Sequence, residues 1–119
     1  MKSDNKRVGR VGESMAALYL ERKGYRIEKR NFTTRFGEID IVCWDGKILV
    51  FVEVKTKIGH DFGEPEEMVN KDKLGRVKRM GELYLLEKQI DCPCRVDMIA
   101  IVLGQKKSIE RIDHYEAVY

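Results

Sequence analysis

Two acidic residues and a lysine interrupt the most apolar part of the sequence: Asp40, Glu53 and Lys55. Burying a carboxylate is costly unless it is paired with a cation or bound to a metal, so these charges need an explanation. Two carboxylates supply the hard oxygen ligands that suit Mg²⁺ or Mn²⁺. A lysine beside such an ion could orient or deprotonate a water, or neutralise charge that builds on a phosphate.

A predicted β-hairpin brings these three residues together. Glu38–Trp44 and Ile48–Lys55 are both rich in β-branched residues, and Asp45-Gly46 stands between them. An Asp-Gly pair between two such runs is the strongest short signal for a hairpin. We therefore expect two antiparallel strands joined by a two-residue loop at Asp45-Gly46.

The register of this hairpin places Asp40 opposite Phe51. Because opposed residues share a face and side chains alternate along a strand, Asp40 then shares one face with Glu53 and Lys55. Asp40 and Glu53 become diagonal neighbours with Cα atoms roughly 7–8 Å apart, so both carboxylates could reach one ion. An odd-length loop would instead put the two acids on opposite faces. The other face is entirely apolar: Ile39, Ile41, Cys43, Ile48, Val50, Val52 and Val54.

A purely structural explanation of the same charges stays open. Strand ends often carry charged side chains, and a salt bridge between Glu53 and Lys55 at a frayed end would need no further function. Asp40 would then cap a loop. Against this alternative stand two acids and a lysine on one predicted face.

Helices and further strands must hold this hairpin in place. Gly12–Gly24 predicts a helix, because it is rich in strong helix formers and closes with a glycine. The order helix, strands, helix, strand predicts an α/β domain around a mixed sheet, and the length of 119 residues favours one domain over residues 1–119. The other predicted elements are a short edge strand at Tyr25–Lys29, a polar loop at Ile58–Pro65, a helix from after Pro65 to about Lys88, a strand at Arg95–Leu103 and a further strand within Ser108–Tyr119.

The composition argues against membrane-spanning and secreted proteins. The longest uncharged apolar runs, Ile48–Val52 and Met98–Leu103, are far shorter than the roughly 18 residues that span a bilayer. The charged N-terminal segment MKSDNKRVGR is followed by no apolar block, so we expect no signal peptide. An odd number of cysteines without framework spacing argues against a disulfide scaffold and fits a cytoplasmic protein. The cysteines are Cys43, Cys92 and Cys94.

Charge is unevenly distributed along the chain, although its net value is only +3. Residues 1–36 carry ten Lys/Arg against four Asp/Glu, residues 37–70 carry three against eight, and residues 71–80 carry five against one. An acidic block between two basic blocks fits a carboxylate cluster that concentrates a cation, flanked by surfaces that attract a polyanion. Solvated faces that happen to segregate by charge are the alternative.

The same residues resemble a known nuclease motif. Asp40, followed thirteen residues later by Glu53-Val54-Lys55 on the next strand, resembles the PD-(D/E)XK motif. The segments GRVGESMAALYL, NFTTRFGEIDIV, LVFVEVKTK, FGEP, the helix from Lys73 to Leu85 and RVDMIAIV resemble, in order, the blocks of the bacterial YraN family. That family consists of small proteins predicted to be endonucleases and similar to archaeal Holliday-junction resolvases. The similarity extends from about Gly9 to Leu103 and implies a restriction-endonuclease-like fold.

Carried over residue by residue, the resemblance implies a metal site. Asp40 and Glu53 would bind Mg²⁺ or Mn²⁺, with the backbone carbonyl of Val54 as a further ligand. Lys55 would be the catalytic lysine. Glu13, on the first helix, matches an additional acidic residue that related resolvases bring to the metal or its waters.

The second helix supplies the basic positions. Lys73 matches a position expected to meet phosphate, and we expect Lys73 and Arg76 to bind nucleic acid within a run of positive charge along this helix. Two departures from the family pattern stand out. Ile39 precedes Asp40 where the motif's name has proline, and the family's small residue in this helix is Gly81, which we expect to weaken the helix without touching the site.

Several other polar residues lie near the predicted site. Glu38 falls on the same face as Asp40 and could rim the site, although an ordinary surface glutamate is the simpler interpretation. We expect Asp97 to make a structural hydrogen bond rather than to bind metal. His60 lies on the polar loop, where we expect it to be solvated.

The resulting hypothesis is a Mg²⁺-dependent endonuclease that hydrolyses DNA phosphodiesters by in-line attack of an activated water. The main alternative is a nucleic-acid-binding module of the same fold without turnover, and a third is a small dimerising protein whose charges only maintain solubility. We expect nucleic acid rather than a membrane as partner. Junction cutting would favour a two-fold homodimer.

Overall fold

Five strands, lying side by side in sequence order, form one sheet within the described residues. The computed structural model of the protein describes residues 2–59 and 63–119. The strands are β1 (Arg26–Thr34), β2 (Gly37–Asp45), β3 (Ile48–Ile58), β4 (Cys94–Leu103) and β5 (Ile109–Tyr115), and the helices are α1 (Lys2–Arg22) and α2 (Lys71–Lys88). β3 and β4 are parallel and the other neighbours are antiparallel. The predicted α/β architecture with a mixed sheet and flanking helices is confirmed.

The two helices cover opposite faces of this sheet. α1 packs its small and apolar side chains, among them Ala16 and Leu20, against one cluster of strand residues. α2 packs a second stripe, including Val77 and Tyr84, against the other cluster. Because parallel strands cannot be joined by a tight turn, α2 also serves as the crossover between β3 and β4.

Two glycines let the helices approach the sheet closely. A Cβ atom at Gly12 of α1 would collide with the side chain of Thr56, and a Cβ atom at Gly81 of α2 would collide with the ring of Phe51. Gly81 therefore has a packing role beyond the predicted weakening of its helix, since the missing side chain makes room for a buried aromatic ring. These contacts fix both helices beside the strands that carry the acidic residues.

The hairpin differs from the predicted register. Asp45 pairs with Ile48, so the two-residue loop is Gly46-Lys47 rather than Asp45-Gly46. Gly46 has a φ of 59°, as expected of a type II′ turn, which places glycine first in the loop. Asp45 stays in the strand, where its carboxylate lies 2.9 Å from the guanidinium of Arg95. The change moves the pairing by one residue in each strand, so the faces predicted for the paired residues 41–45 of β2 stay the same.

Other boundaries also differ from the predictions. α1 begins at Lys2 and ends at Arg22, β1 is longer than the predicted edge strand, and a separate 3-10 turn at Pro65–Met68 precedes α2. His60, which we predicted to be solvated in the polar loop, lies outside the described residues. In the part of the chain that the structure covers, no helix has the length and apolar composition that crossing a bilayer requires.

A buried polar network joins β4 to the C-terminal residues. The carboxylate of Asp97 is fully buried, and it accepts hydrogen bonds from Arg95 Nε at 3.0 Å and from the Ala117 amide at 3.0 Å. His114 Nε2 lies 2.8 Å from the same carboxylate. Burial alone would raise the pKa of Asp97, but these hydrogen bonds outweigh it and the pKa is lowered. The prediction of a structural hydrogen bond at Asp97 is confirmed.

Candidate functional site

The acidic residues lie where β2 and β3 stop pairing. The pairing extends from Asp45 with Ile48 to Ile41 with Val52, so Asp40 and Glu53 are next in register. Instead of continuing the ladder, the Val54 amide donates a hydrogen bond to Asp40 Oδ2 at 2.7 Å. At this point a side-chain hydrogen bond from the Val54 amide to the Asp40 carboxylate replaces the backbone pairing of β2 with β3.

The strand alternation also breaks at this point. Ile41 packs on the α1 side of the sheet, whereas Ile39 packs on the α2 side, so the predicted apolar face is wrong at Ile39. Opposite this stretch in β1, Asn31 has a φ of 57°, a left-handed conformation that interrupts the extended strand. The pairing of β1 with β2 continues on both sides of it, from Arg30 with Ile41 to Phe32 with Ile39, and places Asn31 opposite Asp40.

Three carboxylates converge in that space. Oxygens of Glu13, Glu38 and Asp40 all lie within 4.8 Å of one another. Opposite oxygens in an ideal Mg²⁺ octahedron lie about 4.2 Å apart, so a small adjustment would let the three share one ion. Glu13 reaches the cluster from α1, and the close approach of α1 to the sheet is what brings it there.

Glu53 is not one of the three clustered carboxylates, but it contacts the cluster through Asp40. Only 3% of Glu53 is exposed, and a hydrogen bond links its carboxyl group to that of Asp40. Its other partner is Lys73 of α2, whose Nζ lies 2.6 Å from Glu53 Oε2. The Glu53–Lys55 salt bridge that sequence alone left open is thus replaced by a Glu53–Lys73 pair.

The electrostatics of the site favour a bound cation. Burial, and next the negative charge of Glu53, raise the pKa of Asp40 far above its ordinary value, against the lowering effect of the Val54 hydrogen bond. Burial and the neighbouring Glu38 also raise the pKa of Glu13, although Arg30 opposes this. A divalent cation would offset the repulsion among these carboxylates and the cost of removing them from water.

Asn31 is a site residue that sequence analysis missed. With its amide nitrogen facing the acids, Asn31 donates hydrogen bonds to Glu13 Oε1 at 2.6 Å and to Glu38 Oε1 at 3.0 Å. Asn31 therefore links the carboxylate of Glu13 in α1 to that of Glu38 in β2. The available signal was weak: asparagine is disfavoured in strands and tolerates positive φ, so its place in β1 was unusual.

An open cleft leads to this cluster. It has a volume of about 490 Å³ and runs between α1 and the β1–β2 edge. Its lining combines two basic side chains of α1, Lys6 and Arg10, with two acids of the cluster, Glu13 and Glu38. A ligand that carries both negative charge and a site for a cation would match this lining.

Comparison with known proteins gives the family of the chain. The sequence profile described as "Uncharacterised protein family UPF0102" matches residues 12–101. The chain belongs to the UPF0102 family. A UPF0102 protein of Pelotomaculum thermopropionicum is 39% identical over the whole of both chains, and one of Geobacter metallireducens is 43% identical over the same extent. A UPF0102 protein of Syntrophus aciditrophicus is 44% identical over 98% of this chain and 94% of its own.

The matched UPF0102 region includes every site residue predicted from the sequence, from Glu13 to Arg76. Lys55 is half-buried two residues beyond Glu53, and its side-chain amine has no ion-pair or hydrogen-bond partner among the described residues. Val54 contributes its amide to Asp40. Arg76 is exposed on α2, one turn beyond Lys73. The structure thus brings Glu13, Asp40 and Glu53 together and leaves the amine of Lys55 available to a ligand.

Proposed function

We propose that this UPF0102 protein is a Mg²⁺- or Mn²⁺-dependent endonuclease of the PD-(D/E)XK type that hydrolyses phosphodiester bonds in DNA. The observation that carries the proposal is the half-buried Asp40 carboxylate, which lies where the β2–β3 pairing stops, among Glu13, Glu38 and Glu53. Such crowding of acids is costly for stability and is explained if a divalent cation binds there. The resemblance of the Asp40, Glu53 and Lys55 pattern to the nuclease motif supports the same chemistry.

The donor set fits a hard divalent cation. Carboxylate oxygens of Asp40 and Glu53 and the carbonyl of Val54 would hold it, with Glu13 supporting the cation or its waters from α1. Bound there, the cation would supply Lewis acidity toward a phosphate and lower the pKa of an attacking water. Glu38, kept beside Glu13 by Asn31, would add negative charge at the rim.

The basic residues would act on the nucleic acid itself. The side-chain ammonium of Lys55 has no ion-pair or hydrogen-bond partner among the described residues. It can therefore donate a hydrogen bond to the attacking water or to the phosphate oxygens on which charge develops. Lys73 donates one N–H to Glu53, but its side chain remains 39% exposed, so its other N–H groups are available to a phosphate. Arg76 extends this positive surface along α2.

One experiment tests the proposal directly. The protein is incubated with Mn²⁺ and a panel of duplex, flap, single-stranded and four-way DNA, with EDTA and Asp40→Asn as controls. We expect cleavage that requires both Mn²⁺ and Asp40, with a preference for branched substrates such as junctions. Cleavage that survives in EDTA, or equally in Asp40→Asn, would assign the activity to a contaminant or to another site.

A nucleic-acid-binding module without turnover is the second candidate, and one observation favours it. The Glu53–Lys73 ion pair and the hydrogen bond between Asp40 and Glu53 satisfy these groups without any metal. Salt-dependent binding of every DNA in the panel without cleavage in Mn²⁺ would select this function.

A further inference from the structure

An exposed aromatic ring stands at the tip of the β1–β2 hairpin. Phe36 is 55% exposed, which is unusual for a phenylalanine. The turn that carries it is ordered by Thr34, whose hydroxyl accepts a hydrogen bond from the Phe36 amide at 3.0 Å and donates one to the Gly37 carbonyl at 3.2 Å. The ring is therefore presented on a defined turn.

The groove beside this ring is positively charged. It has a volume of about 590 Å³ and is formed by Phe36 together with side chains of α2: Arg76, Arg79, Glu82 and Leu83. The Arg35 guanidinium lies 4.9 Å from the centre of the Phe36 ring. Among the described residues, neither Arg76 nor Arg79 has an ion-pair partner. An aromatic surface between unpaired guanidiniums suits a ligand that has flat bases and phosphates.

This groove lies on a short path to the acidic site. Phe36 precedes Asp40 by four residues along the hairpin, about 14 Å of extended chain. On the other side, Arg79 follows Lys73 by six residues, about 9 Å along the axis of α2. A strand whose phosphate met Lys73 could thus continue past Arg76 and Arg79 to the ring within a few nucleotides.

We propose that Phe36 stacks against an unpaired nucleobase while Arg76 and Arg79 contact the adjoining phosphates. The preferred substrate of the site then contains single-stranded or unstacked nucleotides next to the cleaved bond, as at a fork, flap or junction. This inference rests on the proposed nuclease function and assigns its preference for branched DNA to named residues, Phe36, Arg76 and Arg79. In an intact duplex every base is stacked on its neighbours, so the ring would have no partner there.

A second copy of the chain is a less suitable occupant of the groove. In a two-fold interface the same patch meets itself, which would bring the guanidiniums of Arg35, Arg76 and Arg79 close to those of the partner. Like charges placed in this way oppose association. A polyanion gains from the same three charges.

The test measures binding in EDTA, so that it depends on neither metal nor turnover. A forked DNA carries 2-aminopurine in its single-stranded arm, and its fluorescence and affinity are compared for wild type, Phe36→Ala and Phe36→Trp. Leu86→Ala is the matched control, because Leu86 is apolar, 75% exposed and outside the groove lining. Circular dichroism checks that each variant is folded.

We expect Phe36→Ala to weaken binding of the forked DNA about 10-fold, the loss of one base–aromatic stack, and to abolish the fluorescence change. Phe36→Trp should retain both, Leu86→Ala should match wild type, and blunt duplex binding should not change. Equal affinities for Phe36→Ala and Leu86→Ala would overturn the inference. So would a dimer that Phe36→Ala converts to monomers while DNA affinity stays the same. If these binding results hold but the protein does not cleave DNA in Mn²⁺, the proposed nuclease function is rejected and the proposed role of the groove in binding DNA is retained.

Discussion

Replacing Asp40 with asparagine should stabilise the metal-free protein and at the same time abolish metal binding. The substitution removes one negative charge from the acidic cluster but keeps an oxygen that can accept the hydrogen bond from the Val54 amide. The new amide nitrogen can also donate to Glu53, which preserves the link between the two side chains. Charge is therefore the main property that changes.

The size of the effect follows from the spacing of the cluster. Two ionised carboxylates at the 4.8 Å limit of this cluster repel by about 3.5 kcal/mol at an effective dielectric constant of about 20. Asp40 avoids part of this cost by holding a proton, and Glu38 is exposed, so we expect Asp40→Asn to raise the free energy of unfolding by about 1–3 kcal/mol in EDTA at pH 7.5.

The pH dependence of this gain has a definite sign. Because burial and then Glu53 raise the pKa of Asp40, the folded wild type holds a proton that the unfolded chain releases above about pH 4. Wild-type stability in EDTA should therefore fall as the pH rises above about 4. Asp40→Asn lacks this loss, so its advantage should grow with pH and disappear in acid.

Urea denaturation with and without Mn²⁺ measures both parts of the prediction. Mn²⁺ at about 100 times its dissociation constant should stabilise wild type by about 2.7 kcal/mol, and most of this gain should be lost in Asp40→Asn. Calorimetry should show the same loss of affinity. If Asp40→Asn is less stable than wild type in EDTA, or binds Mn²⁺ equally well, the acids are not an electrostatically strained metal site.

The other predictions concern the basic residues and the buried network. Lys55→Ala should change the free energy of unfolding by about 0–1 kcal/mol but lower turnover about 10²-fold with metal and DNA binding retained, and unchanged turnover would exclude a role in the reaction. Lys73→Ala should weaken DNA binding at low salt and reduce the salt slope by about 0.9, whereas an unchanged slope would show that Lys73 does not meet phosphate. Asp97→Asn should cost about 3–5 kcal/mol at pH 7, because it leaves Arg95 and His114 without their buried partner. The lowered pKa of Asp97 means that this stabilisation is present above about pH 4 and lost as the pH falls further, so the difference between mutant and wild type in urea denaturation should shrink in acid.

The elements could be predicted from the sequence because their signals are local. Alternation of apolar residues and a turn dipeptide define the hairpin within twenty residues, and the helix formers of α1 and α2 need no distant partner. The proximity of Asp40 and Glu53 was also predictable from the hairpin, although the break in alternation that moves Ile39 to the other side of the sheet was not. The register itself was not, because Asp45-Gly46 can fill both loop positions or Gly46 can take the first of them, and both turns suit a two-residue hairpin loop.

The remaining features of the site depend on contacts between distant segments, which no local pattern records. Lys73 was expected to meet phosphate, but its present partner is Glu53, and that pairing exists only because α2 crosses back over the hairpin. The sequence favours an ordinary surface glutamate at Glu38, whereas in the structure the left-handed Asn31 of the neighbouring strand links it to Glu13.

The Glu53–Lys73 pair and the link from Asn31 to Glu13 and Glu38 have one physical consequence. A regular β2–β3 ladder would pair Asp40 with Glu53 within the sheet. Here the pairing stops after Ile41 and Val52, and the two acids meet Glu13 of α1 on one side and Lys73 of α2 on the other. Acids that repel one another and a backbone in a rare conformation both lower stability, and the surrounding fold must offset both. A chain selected for stability alone would lose them through single substitutions such as Asp40→Asn. The same arrangement is what a divalent cation and a phosphate together require: negative charge for the ion, positive charge for the ligand, and an opening that admits both.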